Sequence, residues 1–232
     1  MGKFAKSEVV QNQAARVFLG VHKFAPTDGM QGDLGWITCK ARRKQNALRF
    51  WNRLITMEDD RLTKHIFLWD YNLCKNNWCS DFKSLMSECM QEYKYEHLKC
   101  VEISEIIPII REHEEQQWQI RCEAKPKLRT YITMKNSLET EKYVRYNLNR
   151  KERSYLAQLR LGILPLRIET GRYENLAIDK RTCQLCASGE VENEEHFLFK
   201  CEINQELRQQ FYDKIKELVN ANHSDDILEF WQ

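Results

Sequence analysis

The chain has 232 residues, 42% hydrophobic and 11% aromatic, with only eight glycines and four prolines. That composition supports a packed core, excludes collagen-like and Pro/Gly-rich disordered chains, and argues against a turn-dense β-sandwich. No run of 18 apolar residues predicts a membrane span, and no apolar stretch follows the first lysines as in a secretory signal, so an intracellular protein, nuclear or cytoplasmic, is expected.

The predicted elements are helices. Ser7 to Leu19 sets Val10, Ala14, Val17 and Phe18 on one stripe, stopped by Gly20. The Gly- and Pro-bearing stretch from Phe24 to Gly35 has no period and predicts a loop. From Arg42 to Met57, Ala47, Phe50, Trp51, Leu54 and Ile55 recur at helical spacing, interleaved with Arg42, Arg43, Arg49 and Arg53. Asp59 or Asp60 can cap a third helix to Leu73, with Leu62, Ile66 and Trp69 inward. Asn77 can cap a fourth carrying Trp78, Phe82, Leu85, Met86 and Met90.

A longer helix starts at Ser104, turns Ile107, Ile110, Trp118 and Cys122 to one side, and ends before Pro126. Thr130 to Met134 is the single β-like run. Asn149 can cap Arg150 to Leu161, with Tyr155, Leu156 and Leu159 inward. A last helix from Ile203 to Val219 presents Leu207, Phe211, Ile215 and Leu218. The fold class expected is therefore mostly α, an irregular multi-helix array. Within it Phe50, Trp51, Leu54, Trp69, Phe82, Leu156 and Leu159 are expected to be buried.

The formal net charge of +2 conceals an asymmetry: residues 1–120 sum to +1, residues 121–182 to +8 and residues 183–232 to −7. A basic block of this kind suits a phosphate backbone. Its candidates for nucleic-acid contact are Lys125, Lys127, Arg129, Lys135, Arg145, Arg150, Lys151, Arg153, Arg160, Arg167 and Arg172. Tyr131, Tyr143, Tyr146 and Tyr155 lie among them, where they can stack on unpaired bases. The same charges suit a second reading, a helical protein-interaction scaffold whose basic block meets the chain's own acidic end.

Nine cysteines without an export signal indicate free thiols rather than a disulfide framework. Six are scattered and are expected to be mostly buried, inert thiols. Cys183, Cys186, His196 and Cys201 instead form a C-x2-C-x9-H-x4-C pattern. Three thiolates and an imidazole at this spacing suit a zinc ion (Zn2+), and four protein ligands leave no open position for a catalytic water. The site predicted is structural, a small C-terminal CCHC zinc knuckle. Other catalytic signatures are missing. His113-Glu114 lacks a second histidine four positions after the first, and there is no P-loop, dinucleotide fingerprint or nucleophile elbow. His22, His65 and His97 have no matched partners in the sequence.

The segments Arg153-Ser-Tyr-Leu-Ala-Gln-Leu-Arg-Leu-Gly162, Leu164-Pro-Leu-Arg167, Glu169-Thr-Gly-Arg-Tyr173, Cys183-x2-Cys186 and Glu192-x-Glu194-Glu-His196-Phe-Leu-Phe-x-Cys201 resemble the C-terminal tail of non-LTR retrotransposon (LINE-type, jockey-like) reverse transcriptases. Ala15-Arg-Val-Phe-Leu-Gly20 and Ala47-Leu-Arg-Phe-Trp-Asn-Arg53 resemble the stretch that follows the polymerase core in that family. The family's Tyr/Phe-Ala-Asp-Asp metal turn has no counterpart: neither Asp59-Asp60 nor Asp225-Asp226 lies between hydrophobic strand runs. Nothing resembles its endonuclease. The resemblance implies a detached, non-catalytic tail with weak, sequence-tolerant binding to RNA or DNA. It divides the chain into a thumb- or linker-like helical region over 1–125, a basic helical segment over 126–182, the knuckle over 183–201 and an acidic C-terminal helix over 202–232.

Overall fold

The computed structural model describes residues 5–221, which are mostly helical. In chain order the α-helices are α1 (Ala5–Leu19), α2 (Thr27–Leu34), α3 (Cys39–Ile55), α4 (Leu62–Leu73), α5 (Trp78–Glu88), α6 (Glu92–Glu96), α7 (Ile103–Glu123), α8 (Tyr131–Met134), α9 (Lys142–Arg145), α10 (Arg150–Arg160), α11 (Arg167–Thr170) and α12 (Gln205–Ala221). Among the described residues the only β-pairing is one antiparallel bridge, Thr182 with Val191. The chain forms two compact units, divided between Ala157 and Gln158, so the boundary falls inside the segment 126–182.

The first unit packs around Trp51 of α3. Its indole is fully buried and stacks on Phe82 at 4.6 Å and on Tyr95 at 5.3 Å, with Phe67 edge-on at 5.5 Å. Such ring pairs add about 0.5–1.5 kcal/mol each beyond area burial. The buried indole N–H donates to the Lys99 carbonyl at 2.9 Å, so the ring carries no orphaned polar atom into the core. Asn52 pairs twice with Val101, donating to its carbonyl and accepting from its N–H, both at 2.8 Å. Asn77 caps α5 through a reciprocal capping box with Ser80, as its position in the sequence predicts.

The helical phase of α4 is the reverse of the expected one. Leu62, Ile66 and Trp69 are exposed, and Lys64 and Phe67 are buried. Lys64 Nζ donates to the carbonyls of Leu54 at 2.9 Å and Ile55 at 2.8 Å, satisfying the C-terminal end of α3 with a cation. A charged residue thus turns inward because a helix end needs it. Phe50 is 43% exposed, its ring edge-on to Trp78 at 5.2 Å. Trp51, Leu54 and Phe82 are buried as expected, whereas Leu156 is exposed and Leu159 half-buried; α10 instead seats Ala157 inward. On α1 the inward residues are Ala15 and Leu19, while Val10, Ala14, Val17 and Phe18 face out.

The stretch expected to be a loop is α2, and seven of its eight residues are buried. It escapes periodic analysis because a helix buried all round has no amphipathic stripe. Gly32 permits its close approach to α7 and α8: a Cβ there would sit 2.5 Å from Trp118 Cζ2 and closer still to the Tyr131 hydroxyl. Trp118 Nε1 donates to the Asp28 carbonyl at 2.8 Å, and the Tyr131 hydroxyl donates to the Gly29 carbonyl at 3.0 Å. Arg121 Nε binds Asp28 Oδ1 at 2.9 Å, and Lys125 pairs with the other oxygen. The β-like run Thr130–Met134 is the helical turn α8, because Tyr131 buries against α2 rather than pairing as a strand.

In the second unit Leu161, Ile163, Leu166 and Ile168 are buried. The last helix, α12, is amphipathic but not inward: Leu207 is 66% and Phe211 53% exposed, with Ile215 half-buried. The side chain of Leu218 lies outside the described residues.

Candidate metal centre

A short hairpin positions the first two ligands. Cys183 N–H donates to the Glu190 carbonyl at 2.8 Å and Glu192 N–H to the Arg181 carbonyl at 3.0 Å, around the bridge of Thr182 with Val191. Gly189, with φ +70°, makes the return possible, since the left-handed region is costly for other residues. The hairpin is tied down through Glu192: its carbonyl accepts from Ile168 N–H at 3.0 Å and its carboxylate from Arg167 N–H at 2.8 Å.

The other two ligands lie at the ends of a π-helical turn, His196–Lys200, closed by Cys201 N–H onto the His196 carbonyl at 2.7 Å. In an α-helix residues five apart point about 140° apart. The wider turn brings both side chains to one side, which the H-x4-C spacing requires. Asn193 Oδ1 accepts from His196 N–H at 2.8 Å and fixes the start of the turn. Arg208 donates to the Leu198 carbonyl at 3.3 Å and the Cys201 carbonyl at 3.0 Å, linking α12 to the end of the turn.

Cys183, Cys186, His196 and Cys201 converge as the sequence predicts: their ligand atoms all lie within 4.8 Å of one another. A tetrahedral site with metal–sulfur bonds of about 2.3 Å places its donors about 3.8 Å apart, so the cluster fits an ion after slight contraction. Cys183, His196 and Cys201 are buried and Cys186 is half-buried. His196 Nε2 faces Cys186 Sγ at 3.4 Å, and Nδ1 lies 3.1 Å from Glu190 Oε2. This carboxylate, absent from the sequence-derived site, holds the ring with Nε2 toward the cluster.

The Ser188 hydroxyl, 3.1 Å from Cys186 Sγ, and the Ser188 backbone favour the thiolate and bring the Cys186 thiol down to about 6. Burial pushes Cys183 upward.

The basic block is largely committed to internal partners. Lys125 pairs with Asp28, Lys135 with Glu141 at 2.7 Å, Arg167 with Glu174, and Arg172 with Glu169 at 3.1 Å. Arg153 lies over the Phe18 ring at 4.6 Å and donates to the Leu148 carbonyl at 3.2 Å. Lys127 Nζ approaches the Phe24 carbonyl at 3.5 Å, Arg129 donates to the Pro126 carbonyl at 3.2 Å, and Arg160 is half-buried. Tyr131 and Tyr143 are buried, the latter donating to Asp33 Oδ2 at 2.7 Å, so neither is a stacking surface. Arg145, Arg150 and Lys151 are exposed, and none forms an ion pair among the described residues. Tyr146 and Tyr155 are exposed beside them.

No model of a known protein family matches the chain, and no curated protein or solved structure matches it. Among the described residues no helix is long and apolar enough to cross a membrane.

Proposed function

We propose that this chain is a non-catalytic nucleic-acid-binding module, derived from the tail of a non-LTR retrotransposon reverse transcriptase, whose C-terminal unit is held by a structural zinc ion. Three thiols and an imidazole are the donor set that selects zinc over hard cations. Cys183, Cys186, His196 and Cys201 would hold the ion. Once bound it supplies a cross-link between the hairpin and the π-helical turn, with its shell filled by protein ligands.

The observation that carries the nucleic-acid reading is the stretch 145–155. Three exposed cations without carboxylate partners among the described residues, Arg145, Arg150 and Lys151, alternate there with two exposed rings, Tyr146 and Tyr155. Cations for phosphates and flat rings for bases are the elements of sequence-tolerant single-strand binding. The test is a salt titration of binding to a labelled single-stranded RNA. With about four contacts, log K falls against log salt with a slope near −2.8, a loss of about fifty-fold between 50 and 200 mM. Reversal of Arg145, Arg150 and Lys151 to glutamate flattens that slope, whereas reversal of Lys214 and Lys216 leaves it unchanged.

A scaffold reading has its own support. Leu62, Ile66, Trp69 and Leu73 are all more than half exposed along one face of α4, an apolar stripe of the sort that meets a partner protein. RNA binding absent at low salt, or insensitive to the triple reversal, favours the scaffold.

A further inference from the structure

The helix α3 carries six Lys or Arg residues and no carboxylate in its seventeen positions. Lys44 pairs with Glu88, and Arg43 donates to Ser7 Oγ at 3.1 Å. Arg42, Asn46, Arg49 and Arg53, at i, i+4, i+7 and i+11, are exposed and share one line along the helix. Among the described residues none of these three arginines has a carboxylate partner; Arg49 donates to Asn46 Oδ1 at 3.1 Å. The line is about 16 Å long at 1.5 Å per residue.

At its Arg42 end lies a cleft of about 450 Å³, lined by Arg42, Gln45 and Asn46 of α3, by Arg111 and Glu115 of α7, and by Glu139. Its size is that of small-ligand sites, which commonly span about 300–1,000 Å³. The Thr38 hydroxyl donates to Glu114 Oε2 at 3.1 Å and joins the α3 N-terminus to α7. Glu115 Oε1 accepts from Leu138 N–H at 2.6 Å and joins α7 to the third wall.

Two features mark the cleft as a place for a ligand. Arg111 is exposed and, like Arg42, has no ion-pair partner among the described residues. Gln45 is only 9% exposed, and its buried Nε2 has no hydrogen-bond partner. Two exposed guanidinium groups are donors for an oxyanion. The Glu115 and Glu139 carboxylates rule out a simple anion trap: they accept, and so suit a ligand that also offers hydroxyl or amino hydrogens. A phosphate carrying a sugar and a base has both.

We infer that the cleft binds one nucleotide of a single-stranded nucleic acid, its phosphate between Arg42 and Arg111, and that the strand continues along α3 over Arg49 and Arg53. This rests on the nucleic-acid reading above and adds contacts on α3 and α7 to those of the stretch 145–155.

The test uses the full zinc-loaded chain and a labelled 20-nucleotide single-stranded RNA, titrated at several salt concentrations. Arg42→Ala with Arg111→Ala is expected to reduce the salt slope by about 1.4, two contacts at about 0.7 each. Arg49→Glu with Arg53→Glu is expected to weaken binding at least as much. All four positions are exposed, so circular dichroism and melting temperature should match wild type; equal loss of fold and binding would overturn the assignment. Adenosine monophosphate in excess should compete with the RNA for wild type but not for the Arg42→Ala/Arg111→Ala variant. Wild-type binding with a slope that neither pair changes, or no competition by the nucleotide, overturns the cleft and leaves the nucleic-acid reading standing. Absence of wild-type binding at low salt overturns both.

Discussion

His196 Nδ1 and Glu190 Oε2 are 3.1 Å apart, while Nε2 of the same ring faces Cys186 Sγ at 3.4 Å. A hydrogen bond from Nδ1–H to this carboxylate leaves Nε2 as the ligand nitrogen. Glu190→Ala should weaken metal binding by about ten-fold, the lower end of the usual effect of such partners because Glu190 is half exposed. Competition with a chromogenic chelator measures it, and an unchanged affinity would mean that the ring is held by its backbone alone.

Cys186→Ser should unfold the residues from about 180 to 205 and leave the first unit intact. Zinc capture contributes about 10–16 kcal/mol of folding free energy in finger peptides, so the hairpin and the π-helical turn depend on it. Hydrogen exchange should show protection lost in the second unit and retained around Trp51, whose contacts all lie in the first. A uniform loss of protection would contradict this.

The cysteines should alkylate in a defined order. Cys100 is exposed and should react first in the native protein. Burial pushes Cys79 up to about 11 and Cys122 up to about 12, so both should resist iodoacetamide at pH 8. After chelation Cys186, whose thiol lies down at about 6, should react before the buried Cys183. Mass spectrometry of timed samples reads the order; early labelling of Cys79 or Cys122 would contradict the packing of the first unit.

Gly32→Ala should destabilise the first unit by about 1–3 kcal/mol or more, the cost of forcing an extra carbon into a filled core. The new Cβ meets the buried Trp118 ring, whose N–H is bound to the Asp28 carbonyl. A denaturant midpoint matching wild type would show that α2 and α7 can separate at little cost.

The metal cluster was legible because its ligands must follow one another at spacings that a short hairpin and a single turn can close. What was hidden is the device that closes it, the π-helical turn, since no side-chain pattern marks a change from 3.6 residues per turn. The helical class was likewise legible from periodicity, but the phase often was not. On α4 the apolar residues Leu62, Ile66 and Trp69 stand outside, and Lys64 goes in to meet the carbonyls of Leu54 and Ile55. The use of the basic block was hidden for a related reason: Lys125 and Asp28 are 97 residues apart in sequence, and no local pattern reveals such a partner. A run of cations therefore resembles a phosphate surface until its carboxylates are located.

Cys183, Cys186, His196 and Cys201 are proposed to form one closed metal site. X-ray absorption at the zinc edge of the purified full chain tests it most directly. A closed site gives one zinc per chain with three sulfur neighbours at about 2.3 Å and one nitrogen at about 2.0–2.1 Å. A chain that carries no metal, or a shell of oxygen neighbours, would contradict it.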